Sequence, residues 1–563
     1  MVTQEARSAN LCALAPAILS PMFGPRTDPK TRESRLAPSG AVRTIAVIVC
    51  LFLGGCAQSP RDPAARGASA ISAEHAAATG RYLAADARAG RHHASPEVDS
   101  VATYLHAQLA AEGLVASTRA EALLGPRATT FDHHFSVLLQ RLAPATRFAL
   151  TDGRTTHEAA VGADFRPLVF SSEDDVLAHP VTLASRAEDL TQEAAASVRG
   201  RVVFVPWSAL VPRAGDAPDA PYYRAAHHLT ARGASAVVFT ESPDWARLPG
   251  ASYPAQLPPE LLPGLRSPRG VRSNLHPARL GAALQAAAWR VAPERTIPAL
   301  VLRPGWMQAG EAPTEARVQV EFQEEVSLGR NVLAGFGGAA GRDECILLVA
   351  HYDHSGVNSV GEVLNGADDN ASGVAALLEI ARAFARVHDT LHRSVLLAFV
   401  SAELQGGQGL ETLLQDLPLL VGHVRLRACF ILDAVGGNDR DHLAIHGAAE
   451  HPELLAVLER HNRHATLLAP SLLLTVPPHS TAPDAVAATT LTWPHTSTAA
   501  LLRRSGVPTL LLNDGLDPQL YGQPEDDWEA VDAGKVARVA RLLFAAAYEL
   551  ASVRGDAVLA ATH

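Results

Sequence analysis

Cys345-Ile-Leu-Leu-Val-Ala-His-Tyr-Asp-His-Ser-Gly356 decides the reading of this chain. Its first six residues are uninterruptedly apolar, as in a strand covered on both faces of its sheet. Polar and turn-forming residues begin at His351, and Asn365-Gly-Ala-Asp-Asp-Asn-Ala-Ser-Gly373 lies a short way on. A helical pattern over Val374–Ala385 leads to a second buried run, Ser394–Val400. Phe430-Ile-Leu-Asp433 and Thr509-Leu-Leu-Leu512 add two further strands, and an amphipathic helix over Gly534–Ala551 closes the series. Alternating helices and apolar strands predict an α/β fold, a three-layer sandwich with a mostly parallel central sheet. Groups that carry chemistry gather at the carboxyl ends of such strands.

Four candidate groups, His351, Asp368, Asp433 and Glu403, stand at strand exits or in the loops that follow them. His351 directly follows its strand, and a neutral imidazole is a good zinc ligand. Asp353, two residues on, is spaced to accept the second ring N–H and fix the tautomer. Asp368 follows Asn-Gly-Ala in a turn, where a carboxylate can reach two metals. Asp433 closes its strand and offers another hard oxygen. Glu403 follows Phe399-Val-Ser-Ala, and a Glu beside an activated water is the usual general base in metal-assisted peptide hydrolysis. Asn370 and Ser372 read as turn and cap residues, His354 as a polar neighbour, and His227 and His228 as ordinary helix residues. Each signal is weak alone, since an Asp at a strand end or helix start is often structural. Their recurrence at the exits of separate strands carries the expectation.

These segments resemble metallopeptidase family 28, the di-zinc aminopeptidases and their relatives, over about 75–149 and 320–553. The resemblance rests on His351-Tyr-Asp353-His and Gly366-Ala-Asp368-Asp-Asn-Ala-Ser-Gly373. It implies that His351, Asp368 and Asp433 form one intact zinc set, with Glu403 as catalytic base beside Asp353. The second metal is where the chain departs. The family shows Phe-x-x-Ala-Glu-Glu; here Glu403 is followed by Leu404. The family shows Ser-Asp-His before Gly-Ile-Pro; here Ser497-Thr-Ala499 precedes Gly506-Val-Pro508. Neither Leu404 nor Ala499 has a lone pair for zinc. His495, four residues before Ala499, is a possible substitute ligand. Tyr521-Gly522 replaces the family's Tyr-His, whereas Asp526 and Asp532 are kept. The expectation is zinc, one ion and at most two. The implied activity is hydrolysis of peptide bonds at a chain end, with a peptide as substrate; a catalytically inactive binding protein of the envelope is the alternative.

Residues 150–319 differ in character. Arg201–Val205 and Ala236–Thr240 read as short strands around a helix at Tyr222–Arg232, followed by Thr296-Ile-Pro-Ala. This pattern resembles the protease-associated domain, a β-rich insert in secreted peptidases. Helical periodicity is expected from about 75 to 118, and a strand from Phe131.

The 563 residues exceed one ordinary domain, and 47% hydrophobic with 19% charged residues suit a globular protein. A formal charge of −10 argues against non-specific nucleic-acid binding. Arg43 to Cys56 reads as a signal segment, and Leu53-Gly-Gly-Cys56 resembles the bacterial lipobox, implying lipidation at Cys56. Residues 1–55 would then be removed, leaving a formal charge of −13; residues 1–41 are unlike a signal and read as untranslated. Residues 56–74 read as a tether and 554–563 as a tail. The expected location is outside the inner membrane, anchored through Cys56 to the envelope, with outer-membrane sorting suggested by Ala57-Gln58. Cys345 and Cys429, in apolar runs, read as buried free thiols.

Overall fold

The computed structural model describes residues 62–552 apart from 169–170, 187–188, 190–193, 213–219, 244, 246–296, 308–312, 340–342, 358–360, 406, 438, 465–470, 477–505 and 515–521. Nine strands form the principal sheet: β1 (Val115–Ala116), β2 (Thr129–Leu142), β3 (Phe322–Phe336), β4 (Glu344–His351), β5 (Ser394–Val400), β6 (Arg425–Leu432), β7 (His442–His446), β8 (Leu473–Thr475) and β9 (Thr509–Asn513). Their order across the sheet is β1-β2-β3-β5-β4-β6-β9-β7-β8. The central block β5-β4-β6-β9 is parallel throughout. Antiparallel pairings join β3 to its two neighbours and β7 to β9.

Strand alternation divides the core in two. Ile346, Leu348 and Ala350 pack in one buried cluster with α3 (Gly373–Ala385), α5 (Pro452–His464) and α6 (Ala533–Ala551). Cys345, Leu347 and Val349 point the other way and pack with Leu410, Leu413 and Leu417 of α4 (Gln408–Val421). A strand buried on both sides has no polar face, which is why its sequence is a continuous apolar run. Cys345 and Cys429 are buried free thiols, as expected.

Two expectations need correction. The single helical region over 75–118 is two helices, α1 (Ala73–Leu83) and α2 (Pro96–Ala111). Pro96 opens α2 at its first turn, where a missing N–H costs nothing, so Ser95-Pro96 marks a new start. The tether over 56–74 is also shorter. A helical turn at Pro63–Ala68 is capped by the Asp62 carboxylate, and a Cβ on Gly67 would lie 2.2 Å from the Phe544 ring. Ser72 then caps α1 and donates its N–H to buried Glu379 at 2.7 Å. Packing against α3 and α6 fixes a stretch whose composition alone suits a linker.

The segment between β2 and β3 carries two sheets of its own. Strands Thr156–Ala159, Arg147–Thr151, Glu315–Val320 and Asp174–Ala178 make a four-stranded sheet. Phe165–Pro167, Ala299–Leu302, Ala236–Thr240, Val202–Pro206 and Pro180–Thr182 make a five-stranded one. Phe148, Val176 and Val318 of the first meet Phe204, Val238 and Leu300 of the second in one cluster, and the helix Ala220–Ala231 covers the far face. This body is joined to the principal sheet by an unbroken antiparallel ladder, from Phe322↔Leu142 to Gly335↔Thr129.

The ladder is tied to α2 by charge. Asp132 accepts from Arg330 at 2.8 and 3.0 Å and lies 2.7 Å from His106 Nε2. Burial would raise this carboxyl, but its bonds to His106 and Arg330 prevail and hold it at about 2. A depressed folded-state pKa contributes stability that is complete above the unfolded value and lost as pH falls through the folded one. With partial exposure screening the pair, Asp132→Asn should cost on the order of 1 kcal/mol at pH 7. That difference should shrink between pH 4 and pH 2 in denaturant titrations run across this range.

Candidate metal centre

Three parallel strands deliver the site. His351 is the last residue of β4, Asp433 follows β6, and Glu403 lies three residues beyond β5. The imidazole Nε2 of His351 stands 3.2 Å from Oδ1 of Asp369 and 3.3 Å from Oδ1 of Asp433. The ligating atoms of these three buried residues all lie within 4.8 Å of one another, and among the described residues no other such group occurs. Donors to one tetrahedral zinc, at bonds of about 2.0–2.1 Å, are roughly 3.3 Å apart. The set therefore fits a divalent ion.

The carboxylate in this set is Asp369, not Asp368. The two are consecutive, so the turn decides which one faces His351. Gly366 enters it with φ +54°, and Asp369 and Asn370 leave helical geometry at φ/ψ −103/89 and −135/38 before α3 begins. Asp368 Oδ1 instead accepts the N–H groups of Gly436 and Gly437, at 2.8 and 2.9 Å. Asn370 and Ser372 act as turn residues: the Asn370 amide donates to Leu432 O and accepts from Gly373 N and Ala434 N, and Ser372 Oγ accepts from Val435 N.

Asp353 has a different task from the one expected. The acceptor near His351 Nδ1 is the Asp353 carbonyl, at 3.0 Å, whereas the Asp353 carboxylate is 3.9 Å away. An N–H donated there leaves Nε2 as the ligating atom. The carboxylate accepts the Glu403 N–H at 3.1 Å, which anchors the loop carrying the candidate base. Asn331 holds the same loop from below, accepting from Ser401 N and donating to Gly409 O. Ala402 has φ +61° and Ala434 φ +53°. Both are left-handed alanines two residues beyond strand ends, adjoining Glu403 and Asp433, where strained backbone aims the neighbouring side chains.

Electrostatics agree with a cation site. Burial would lower the His351 pKa, but the Asp369 and Asp433 carboxylates raise it well above its ordinary value. Burial, with Asp369 and Glu403 nearby, holds Asp433 up at about 6. Burial raises Asp353 to about 7, Glu403 adding to it. Anions crowded away from water in this way are relieved by a bound divalent ion.

Two further residues support the centre: Arg91, which carried no sequence signal, and Asp526, noted only as kept from the family pattern. Arg91 is fully buried and donates to four carbonyls, those of Leu83, Tyr352, Asn365 and Gly366. Asp526 accepts from the N–H groups of Asp368 and Asp369, at 2.8 and 3.1 Å, and its own carbonyl accepts from Ala367 N. Burial first, then Asp368, raises Asp526 to about 7. Asp532 caps α6 through Gly534 N and Lys535 N and lies outside this set. Leu404 is 44% exposed beside Glu403 and offers no ligand atom. Ala499, His495 and Cys56 fall outside the described residues, as does Tyr521; Gly522 is a turn glycine with φ +67°. His227 and His228 lie on the helix of the inserted segment, away from this centre.

One imidazole and two carboxylates at the carboxyl edge of a parallel sheet, with a glutamate on the adjoining loop, define a metallopeptidase-type centre. Residues 331–547 match the family model of Peptidase family M28. Among solved structures, the aminopeptidase from Aneurinibacillus sp. strain AM-1 is similar at 17% identity and a TM-score of 0.51, over 87% of this chain and 96% of that one. The zinc aminopeptidase BSAP from Bacillus subtilis is similar at 15% identity and a TM-score of 0.53, over 86% and 96%. These likenesses concern the fold. The BOS complex subunit ncln of Danio rerio is 38% identical over 122 residues, 19% of this chain; the chain spans about a fifth of that relative's length.

The exchange of Asp368 for Asp369 is testable. Asp369→Asn is expected to lower bound zinc to well under one ion per chain, while Asp368→Asn retains it. Elemental analysis after desalting reads both; retention by Asp369→Asn would contradict the assignment.

Proposed function

We propose that this chain is a zinc-dependent exopeptidase of the aminopeptidase type that works with one metal ion in the cell envelope. The observation that carries the reading is the buried trio His351, Asp369 and Asp433 with Glu403 on the neighbouring loop. A divalent ion bound there supplies Lewis acidity to the scissile carbonyl and the attacking water. His351, Asp369 and Asp433 would hold that ion, and the Asp353 carbonyl keeps the Nε2 of His351 free to do so. Glu403 accepts the proton of the attacking water on its carboxylate and returns it to the departing amine. Asp353 and Asn331 anchor the loop that carries Glu403. The β-rich segment between β2 and β3 would shape access for the substrate in the manner of a protease-associated domain.

Zinc analysis and a screen of aminoacyl substrates test the activity. The expected result is about one zinc per chain and release of a terminal residue that chelation stops. Absence of turnover with zinc present would favour the second reading, a catalytically silent envelope binding module. Exposed Leu404 beside the candidate base favours that reading, as does similarity to a protein named as a complex subunit. The anchor has its own check: Cys56→Ser should move the protein from the membrane to the soluble fraction, and unchanged membrane association would remove the lipid from the proposal.

A further inference from the structure

We infer that His354 is a positioning residue for the metal centre: its imidazole takes the second oxygen of Asp369 and so builds a site for a single ion. The inference rests on the metal-binding part of the reading above. Asp369 turns Oδ1 toward His351, and its Oδ2 lies 3.5 Å from Nδ1 of His354. His354 is 1% exposed, and neither ring nitrogen has a hydrogen-bond partner among the described residues. A buried imidazole with two idle nitrogens is costly. The Asp369 carboxylate approaches the ring at 3.5 Å, and a small ring rotation converts that approach into an N–H···O bond.

The ring is held there by backbone. His354 N donates to Arg91 O at 3.0 Å, and residue 354 pairs with His92 in an isolated bridge. A Cβ on Gly366 would lie 2.5 Å from Cδ2 of His354, so only glycine at φ +54° lets the ring sit against the turn that presents Asp369. A carboxylate held through one oxygen offers the other in fixed orientation, the usual way an outer partner orients a metal ligand. The same ring makes a second ion at Oδ2 unfavourable. Among the described residues no second group of three His, Cys, Asp or Glu ligand atoms comes together, whereas zinc is held by three or four protein donors.

The test measures zinc stoichiometry and affinity by chelator competition, and the Co²⁺ visible spectrum, for wild type, His354→Leu and His354→Asn. The Asn amide nitrogen can occupy the place of Nδ1, whereas Leu has no donor. We expect one ion per chain in all three, affinity about 10–100-fold weaker in the Leu variant, recovery of most of that loss in the Asn variant, and an altered Co²⁺ spectrum for Leu alone. Equal affinity in wild type and Leu variant would overturn the inference, as would two ions in wild type falling to one in both variants, which would make His354 a ligand. A wild type that binds no zinc would overturn this inference and the metal-dependent reading together. Zinc binding with the expected variant pattern but without peptidase turnover supports the positioning role and removes only the catalytic reading.

Discussion

Glu403→Gln is expected to lower peptidase turnover by about 10²–10⁴-fold, the usual contribution of a general base, with zinc still bound. The amide keeps the size of the side chain and its loop contacts but cannot take a proton. The Glu403 main-chain N–H to Asp353 is unaffected by the change, so the loop should stay where Asn331 and Asp353 hold it. The measurement is kcat with a chromogenic aminoacyl substrate beside metal content on the same sample. Loss of activity together with loss of zinc would indicate collapse of the centre instead. Undiminished turnover would mean that another group carries the proton.

The second large effect concerns Arg91. Arg91→Met is expected to destabilise the metal-free protein by about 3–5 kcal/mol, the range for removing one partner from a buried charged network. Four carbonyls would lose their donor at once. Asp526, Asp369 and Asp353, whose charges the guanidinium offsets, would lose a common counter-ion. Burial pulls the guanidinium down to about 10, so it remains charged at neutral pH. Arg91→Lys should recover little, because an ammonium cannot reach four carbonyls with a planar fork. Chemical denaturation with chelator present reads both variants; a loss near zero for Arg91→Met would show that water satisfies these carbonyls.

The contrast between what the chain announced and what it concealed has physical causes. β4 and β5 were legible because burial on both faces leaves continuous apolar runs, and the helix α3 because its flanking turn is rich in Gly, Asn and Ser. His351 and Asp433 were legible because they directly end such strands. Asp369 was hidden by its twin. Two adjacent carboxylates have the same chemistry, and only the dihedral angles of the Gly366–Asn370 turn determine which faces inward. Arg91 was hidden because it fell inside the region expected to be helical, where an arginine reads as solvent-facing; in the structure it sits in a left-handed turn, with Gly90 at φ +62° and Arg91 itself at φ +50°. Asp526 and Asp532 looked alike as acidic residues of the tail, yet one holds the ligand turn and the other caps a helix. Their difference is tertiary, and no spacing rule carries it.

The Asp526 staple also bears on when this protein can become active. Three consecutive N–H groups of the ligand turn, those of Ala367, Asp368 and Asp369, are held by one residue encoded far downstream. Arg91, which fixes the same turn from the other side, is made long before. During synthesis, the turn that presents the ion's ligand cannot be held in this way until residue 526 has emerged, and contacts so distant in sequence form late. A nascent chain that stops short of Asp526 would therefore lack the clasp on the segment that presents Asp369, and would stay a poor host for the cation until that residue arrives.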